Sequence, residues 1–520
     1  MTGFASGAQP PASKRGGSVT LTRTLAWLGT GSLLLTVLLA LAGMALHPGQ
    51  GYSWASYFDA WLWQIIRFSV LQAVLSAGFS VVLALPFAWV LAQRPFTGQW
   101  LLAGFLNLAF VLPVLAVVLG IVALFGSQGW LPLAGTIYGL PGILLAHVAF
   151  NWPFAVRLLW ERLSQVPPHH RRLATVLGLS AWQRMLRIEW PILKAALGPV
   201  FVLIALLCFS SFTVVLTLGG GPANTNLEVA VYQALKYDFD SRGAALYATI
   251  HGVMALSLMA LLGRHRVGSM EMVAQPARSV RQQASWLQRG AIAVLLLALL
   301  APYLALTQRA MRSNWQRPEM LNEAVTTSLS IAGFSALFAV LLALSRCVSA
   351  DSARRRSVWL DFGVLVMPAM VLTTGLFLLC LRLGWARQAT WPLIIWINAL
   401  MAMPLILQPI KARTASARNQ YQRLTRVLGL TRWAALRFIY WPVLWPVLVW
   451  ALALSAVLSL GDMGVAALVG QLDFVTLPLM IFRAMGSYQM GLAAQLMVAL
   501  LVLCATLLGL AEWARGRGHA

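Results

Sequence analysis

One stretch of this sequence occurs twice, the second copy 251 residues after the first. Arg171-Arg172-Leu173-Ala174-Thr175-Val176-Leu177-Gly178, running on to Ile188-Glu189-Trp190-Pro191, returns as Gln422-Arg423-Leu424-Thr425-Arg426-Val427-Leu428-Gly429, running on to Ile439-Tyr440-Trp441-Pro442. Leu179 and Trp182 recur in the same register, and upstream Pro141 and Pro153 recur as Pro392 and Pro404. A repeat at half the length of a 520-residue chain marks a fused pair, so the fold must be built from two copies of one unit.

Each copy holds a basic helical segment, a glycine, a second short helical segment and a proline. Glycine permits a sharp break between helices. Proline suits the first turn of the helix that follows, where a missing N–H costs little. Both copies lie between long apolar runs. The pattern predicts a short helix–turn–helix on one membrane face, presented twice; two ordinary basic loops in a duplicated protein are the plainer alternative.

The chain is 60% hydrophobic and 10% charged, a composition unlike that of a soluble domain. Runs of about 20 apolar residues are long enough to span a bilayer as helices. Helices satisfy their own backbone hydrogen bonds, as lipid requires. The net charge of +24 does not point to nucleic acid, because most Arg and Lys fall in short gaps between apolar runs, as the positive-inside rule describes. Cys208, Cys347, Cys380 and Cys504 lie in or beside apolar segments without metal-ligand spacing and read as packing residues. No Walker-type phosphate loop, His/Glu metal motif or nucleophile motif is present, so the chain has no means of its own to hydrolyse ATP.

Taken in order, the apolar runs predict an all-α membrane protein with twelve spans. They fall near 25–47, 66–92, 100–125, 140–160, 194–218 and 243–263 in the first half, then near 290–307, 326–346, 358–380, 391–410, 444–461 and 488–511 in the second. A cleaved signal peptide is the alternative for the first run, since Ala42-Gly43-Met44-Ala45 could be cut, but the run is long for a signal core. The predicted organisation is a cytoplasmic tail 1–24, a first half 25–263, a cytoplasmic linker 264–289, a second half 290–511 and a tail 512–520. The repeated loops occupy 161–192 and 411–442, between the fourth and fifth spans of each half, and both termini are expected inside. Residues 219–242 are expected as an outer loop, and 462–487 as an outer or re-entrant stretch.

The loop pattern resembles one shared by permease subunits of ABC importers: Glu-Ala-Ala, three residues, Gly, nine residues, Ile, any residue, Leu-Pro. Here the first positions read Arg172-Leu173-Ala174 and Arg423-Leu424-Thr425, and Gly178, Ile188 and Pro191 match, as do Gly429, Ile439 and Pro442. The leading Glu is absent from both halves. Longer stretches are similar to the fused thiamine permease branch of that family. They include Tyr138-Gly139-Leu140-Pro141-Gly142, Leu227-Glu228-Val229-Ala230-Val231-Tyr232-Gln233 and Leu458-Ser459-Leu460-Gly461-Asp462-Met463-Gly464.

The resemblance implies a permease subunit in a bacterial inner membrane, with two copies of a separate ABC ATPase docked on the two loops and a periplasmic binding protein delivering thiamine or its phosphates. It implies no cofactor on this chain, ATP-Mg in the partner ATPase, no metal and no catalytic residue. The same architecture also carries ferric iron or other small solutes. An ion-coupled secondary transporter is the rival of a different class, because it too can have twelve helices in two halves; that rival predicts buried acid or His relays, and few ionisable residues lie inside these spans.

Three groups outside the loops are candidates. Asp462 ends an apolar run, where an ionisable group suggests function and a carboxylate suits a thiazolium cation; capping the next short helix is the alternative. His147 and its repeat partner Asn398 are substrate-path candidates, or simply hydrogen-bond across helices. Glu228, Asp238 and Asp240 form an acidic loop suited to meeting the binding protein, or merely a solvated one.

Overall fold

The computed structural model describes residues 16–46, 54–132, 137–264, 283–315, 317–348, 367–471 and 473–517. The apolar runs rich in Leu, Ala and Val form helices throughout, and no strand is present among the described residues. The first half contains α1 (Gly16–Leu46), α2 (Ala60–Ala92), α3 (Gln99–Val111), α4 (Val114–Phe125), α5 (Leu140–Ser164), α6 (Pro168–Val176), α7 (Ala181–Arg184), α8 (Trp190–Phe209), α9 (Phe212–Leu218), α10 (Leu227–Lys236) and α11 (Ser241–Arg264). The second contains α12 (Trp286–Arg312), α13 (Leu321–Val348), α14 (Ala369–Arg382), α15 (Thr390–Val427), α16 (Arg432–Ala435), α17 (Trp441–Leu460), α18 (Gly464–Val469), α19 (Leu477–Gly486) and α20 (Met490–Arg517).

Ten described helices are long and apolar enough to cross a membrane, or eleven when one bent pair counts as a single span. The expected twelve are therefore not reached among the described residues. The bent pair is the third expected span. It is two helices, α3 and α4, meeting at 95°. Pro113 causes the break: it has no N–H to give to the ladder and its ring crowds the preceding turn. Pro368 opens α14 with nearly the same backbone (φ −55°, ψ 138°, against −53°, 126° at Pro113), while the start of the ninth expected span, residues 358–366, lies outside the described residues.

Other boundaries differ as well. α1 begins at Gly16, inside the expected tail, and α12 begins at Trp286, inside the expected linker. Ser285 and Gln288 form a capping box there, a stronger start signal than the apolar run itself. Linker residues 265–282 lie outside the described residues. The expected outer loop 219–242 contains α10, and 462–487 contains α18 and α19.

Packing is the same in both halves. α2 packs on α5 as α13 packs on α15. The first helix of each half then crosses to the other: α1 lies against α14, and α12 against α4. Small residues allow this close approach. A Cβ on Gly43 would overlap the Gly375 carbonyl oxygen, and a Cβ on Gly120 would lie 2.8 Å from Pro302. Gly120 and Gly375 each stand seven residues after the proline that opens their helix. Trp396 Nε1 donates to Thr36 Oγ1 at 2.9 Å, a further tie between α1 and the second half. One apolar core runs through this seam, containing Val118 of α4, Leu372 of α14 and Val465 of α18.

Candidate functional site

The two repeated loops fold alike, hydrogen bond by hydrogen bond. In the first, α6 ends at a turn in which Leu177 N–H donates to Leu173 O (2.9 Å) and Leu179 N–H donates to Ala174 O (3.0 Å). In the second, Leu428 N–H donates to Leu424 O (3.0 Å) and Leu430 N–H donates to Thr425 O (3.2 Å). Gly178 (φ +68°) and Gly429 (φ +59°) provide the left-handed residue that this helix ending requires. Ser180 then caps α7 in a capping box with Gln183, and Thr431 Oγ1 accepts from Ala434 N–H at 3.3 Å at the start of α16.

Beyond each short helix the backbone widens into a π-helical turn, Met185–Glu189 and Leu436–Tyr440. Trp190 N–H reaches back five residues to Met185 O. The motif proline explains the widening. Pro191 and Pro442 have no N–H for the carbonyl four residues back, and their rings push that carbonyl away. Ile188 and Ile439 lie within these turns and are half-buried. Such turns cluster at functional positions.

The loops present apolar side chains to the outside. Val176 and Val427 are each 83% exposed, and Leu173, Leu177, Trp182, Leu424, Leu428 and Trp433 are exposed too. Ala174 is buried and Arg423 is exposed; Arg172 lies in α6. Clustered exposed apolar side chains beside basic residues set these loops apart from an ordinary solvated loop.

The loops differ in what fixes them. Glu189 is buried (1% exposed), accepts from Trp89 Nε1 of α2 at 2.7 Å, and lies 3.5 Å from Arg184 Nε. Arg184 also donates to Gln93 at the end of α2. At the equivalent position the second loop has Tyr440. Instead, α15 runs unbroken from the membrane into the loop, because Pro167-Pro168 of the first half are replaced by Arg418-Asn419. Sequence reasoning missed the Glu189 anchor, whose partner Trp89 is 100 residues away.

The polar candidates inside the bundle fall into two clusters. In the first half, His147 is buried between Ser76 Oγ (3.0 Å from Nδ1) and Ser211 Oγ (2.8 Å from Nε2), so both ring nitrogens are occupied. In the second, Asn398 Nδ2 donates to Ser459 Oγ at 2.9 Å. Asp462 stands at the opening of α18, its carboxylate facing the N–H groups of Gly464, Val465 and Ala466 and the Asn398 side chain. It stands one residue before the N-cap, Met463, and its Oδ2 keeps no hydrogen-bond partner among the described residues. A void of about 10 Å³ adjoins it, lined in part by Ser328, Asn398, Ser459 and Thr476. That is room for roughly one water and not for an organic solute.

The acidic loop is not one unit. Asp238 is exposed, as expected. Asp240 caps α11 through Gly243 N–H (2.9 Å) and accepts from Tyr57 OH (2.8 Å). Burial and the adjoining carboxylate push the Tyr57 phenol up to about 12. Glu228 corrects the expectation of a solvent-facing acid: it is 2% exposed, in the first turn of α10, with His251 Nδ1 of α11 at 3.9 Å. Asn226 turns it inward by capping α10 through Val229 N–H and donating to Ser211 O.

A duplicated all-α bundle with broken spans and paired, outward-facing apolar loops is the architecture of a transport permease. Residues 84–266, which include the first loop, match the family of binding-protein-dependent transport system inner membrane components. Over nearly its whole length the chain is similar to proteins of narrower description. It is 37% identical to the thiamine transport system permease protein ThiP of Escherichia coli (strain K12), over 94% of this chain and 97% of that one. It is 35% identical to the protein of the same name from Haemophilus influenzae, over 92% and 94%. A sulfate transport system permease protein, CysT of Escherichia coli, is 28% identical over 45% of this chain but 88% of its own length, so one such protein corresponds to about half of this one. The chain belongs to the family of thiamine transport system permease proteins, multi-pass proteins of the inner membrane.

Proposed function

We propose that this chain is the membrane-spanning subunit of an ATP-driven importer of thiamine or its phosphates, and that its paired loops receive two copies of an ABC ATPase. The observation that carries this reading is the loop pair: two matching helix–turn–helix units, each with exposed apolar side chains, on a chain whose sequence holds no Walker-type phosphate loop. Similarity to the thiamine permeases along the whole chain supports the cargo.

In this reading ATP binding closes the ATPase dimer and draws the two loops together. The rigid α6–α7 and α15–α16 units pass the motion to α8 and α17, and the seam between the halves opens alternately to either side. A periplasmic binding protein delivers cargo at the opposite face, where Asp238 is the exposed acid of the three considered. Asp462, Asn398 and His147 line the path, with His147 in a packing role because its ring is fully bonded. Both termini lie in the cytoplasm. ATP-Mg belongs to the partner.

The test is Gly429→Pro. Proline cannot adopt the positive φ of this turn. The variant is expected to insert in the membrane and bind cargo-loaded binding protein while transport uncouples from ATP hydrolysis. Wild-type coupling would refute the assigned role of the loop.

A further inference from the structure

Glu228 comes from the first half and Asp462 from the second: Glu228 lies in α10, which packs beside α18, and Asp462 stands two residues before α18. They are close enough for their like charges to repel. The Glu228 carboxylate has one basic group within 4 Å among the described residues, His251 at 3.9 Å. His251 is fully buried and neither ring nitrogen has a hydrogen-bond partner among the described residues. Asp462 Oδ2 is likewise unpartnered. Glu228 is buried and Asp462 half-buried with its Oδ2 fully covered; two such carboxylates without a matching cation are costly to keep, which marks the place as functional rather than structural.

Helix geometry accounts for part of the arrangement. Glu228 lies in the first turn of α10, and Asp462 faces the first N–H groups of α18. Partial positive charge at those helix ends favours a carboxylate at each place separately. It does not account for an acid from each half at elements that pack against one another. Because the acids lie on opposite halves, a site made of both forms or disperses as the halves move.

We propose that Glu228 and Asp462 form a cation clamp across the seam, which takes the positively charged ring of an organic cation during its passage. The proposal rests on the reading of thiamine as cargo. In the conformation described here the seam is closed, and the void beside Asp462 has room for no more than a water. Parting of α10 and α18 opens the clamp to the cation. The clamp is one-sided with respect to the repeat, because the first-half counterpart of Asp462 is Ser211, already bonded to His147.

The test uses the full chain with its ATPase and binding protein in liposomes. Uptake of thiamine is compared with uptake of an isostere whose thiazolium is replaced by an uncharged ring. The binding protein's own preference is common to all variants and cancels in the comparison. Glu228→Gln and Asp462→Asn are each expected to lower the thiamine-to-isostere ratio about tenfold, the scale of one charge pair. The double variant is expected to lower it by less than the product of the two, and Glu228→Asp to restore part of it. Should Glu228→Gln fail to insert, the ratios for Asp462→Asn and Glu228→Asp decide. Wild-type uptake of thiamine with an unchanged ratio in the variants overturns the clamp. Absence of thiamine uptake by the wild type overturns the cargo reading, and the clamp with it.

Discussion

At equivalent places the first half has a histidine with both ring nitrogens bonded, whereas the second has Asn398, a carboxylate with one oxygen unpartnered and a small void. The loops show a similar contrast by different means. The first is a separate unit pinned by the buried Glu189, and the second is a continuation of α15 with no acid at that place. Duplication has kept the backbone turns. It has let the buried polar groups diverge: His147 is bonded on both ring nitrogens, whereas Asp462 keeps one oxygen unpartnered. Half-to-half symmetry here belongs to the backbone of the repeated loops, and asymmetry to the polar clusters inside the bundle.

Three substitution pairs sharpen or break that contrast. The largest effect is expected at Glu189. Glu189→Ala leaves Arg184 and Trp89 without their buried partner and should cost about 3–5 kcal/mol locally, the range for breaking a buried ion pair. Limited proteolysis should then cut the first loop, while Tyr440→Ala leaves the second intact. Equal sensitivity of the two loops would mean that Glu189 is not the anchor.

Next come the seam glycines. Gly43→Ala should destabilise by about 2–3 kcal/mol or more, because its Cβ meets backbone that has nowhere to go. Gly120→Ala should cost less, since its Cβ lies 2.8 Å from Pro302, a contact that a smaller shift relieves. Thermal unfolding in detergent measures both, and a reversed order would contradict the close crossing of α1 on α14.

The smallest contrast is between His147→Ala and Asn398→Ala. The first strands two serine hydroxyls and the second strands one, at roughly 1–3 kcal/mol for each group that stays buried and unpaired. Equal losses would show that the two clusters are more alike than their bonding suggests.

Much of this was legible in the residues. The repeat offset located both loops, and glycine with proline at fixed spacing predicted a turn and a helix start where each occurs. The π-helical turns were not predicted, although Pro191 and Pro442 contain their cause. The 95° break at Pro113 was hidden because the apolar run continues through it, and hydropathy does not register direction. Glu228 was misjudged for a related reason. It follows a Gly-Pro-rich stretch that reads as exposed loop, and only the cap at Asn226 turns it inward. Pairings such as Trp89–Glu189 join residues far apart in the chain and leave no local pattern.

The most direct measurement is ATP hydrolysis and thiamine uptake by this chain, its ATPase and a binding protein reconstituted together in liposomes. The account predicts that thiamine-loaded binding protein stimulates hydrolysis and that uptake accompanies it. Uptake that needs no ATPase and follows an ion gradient would contradict it.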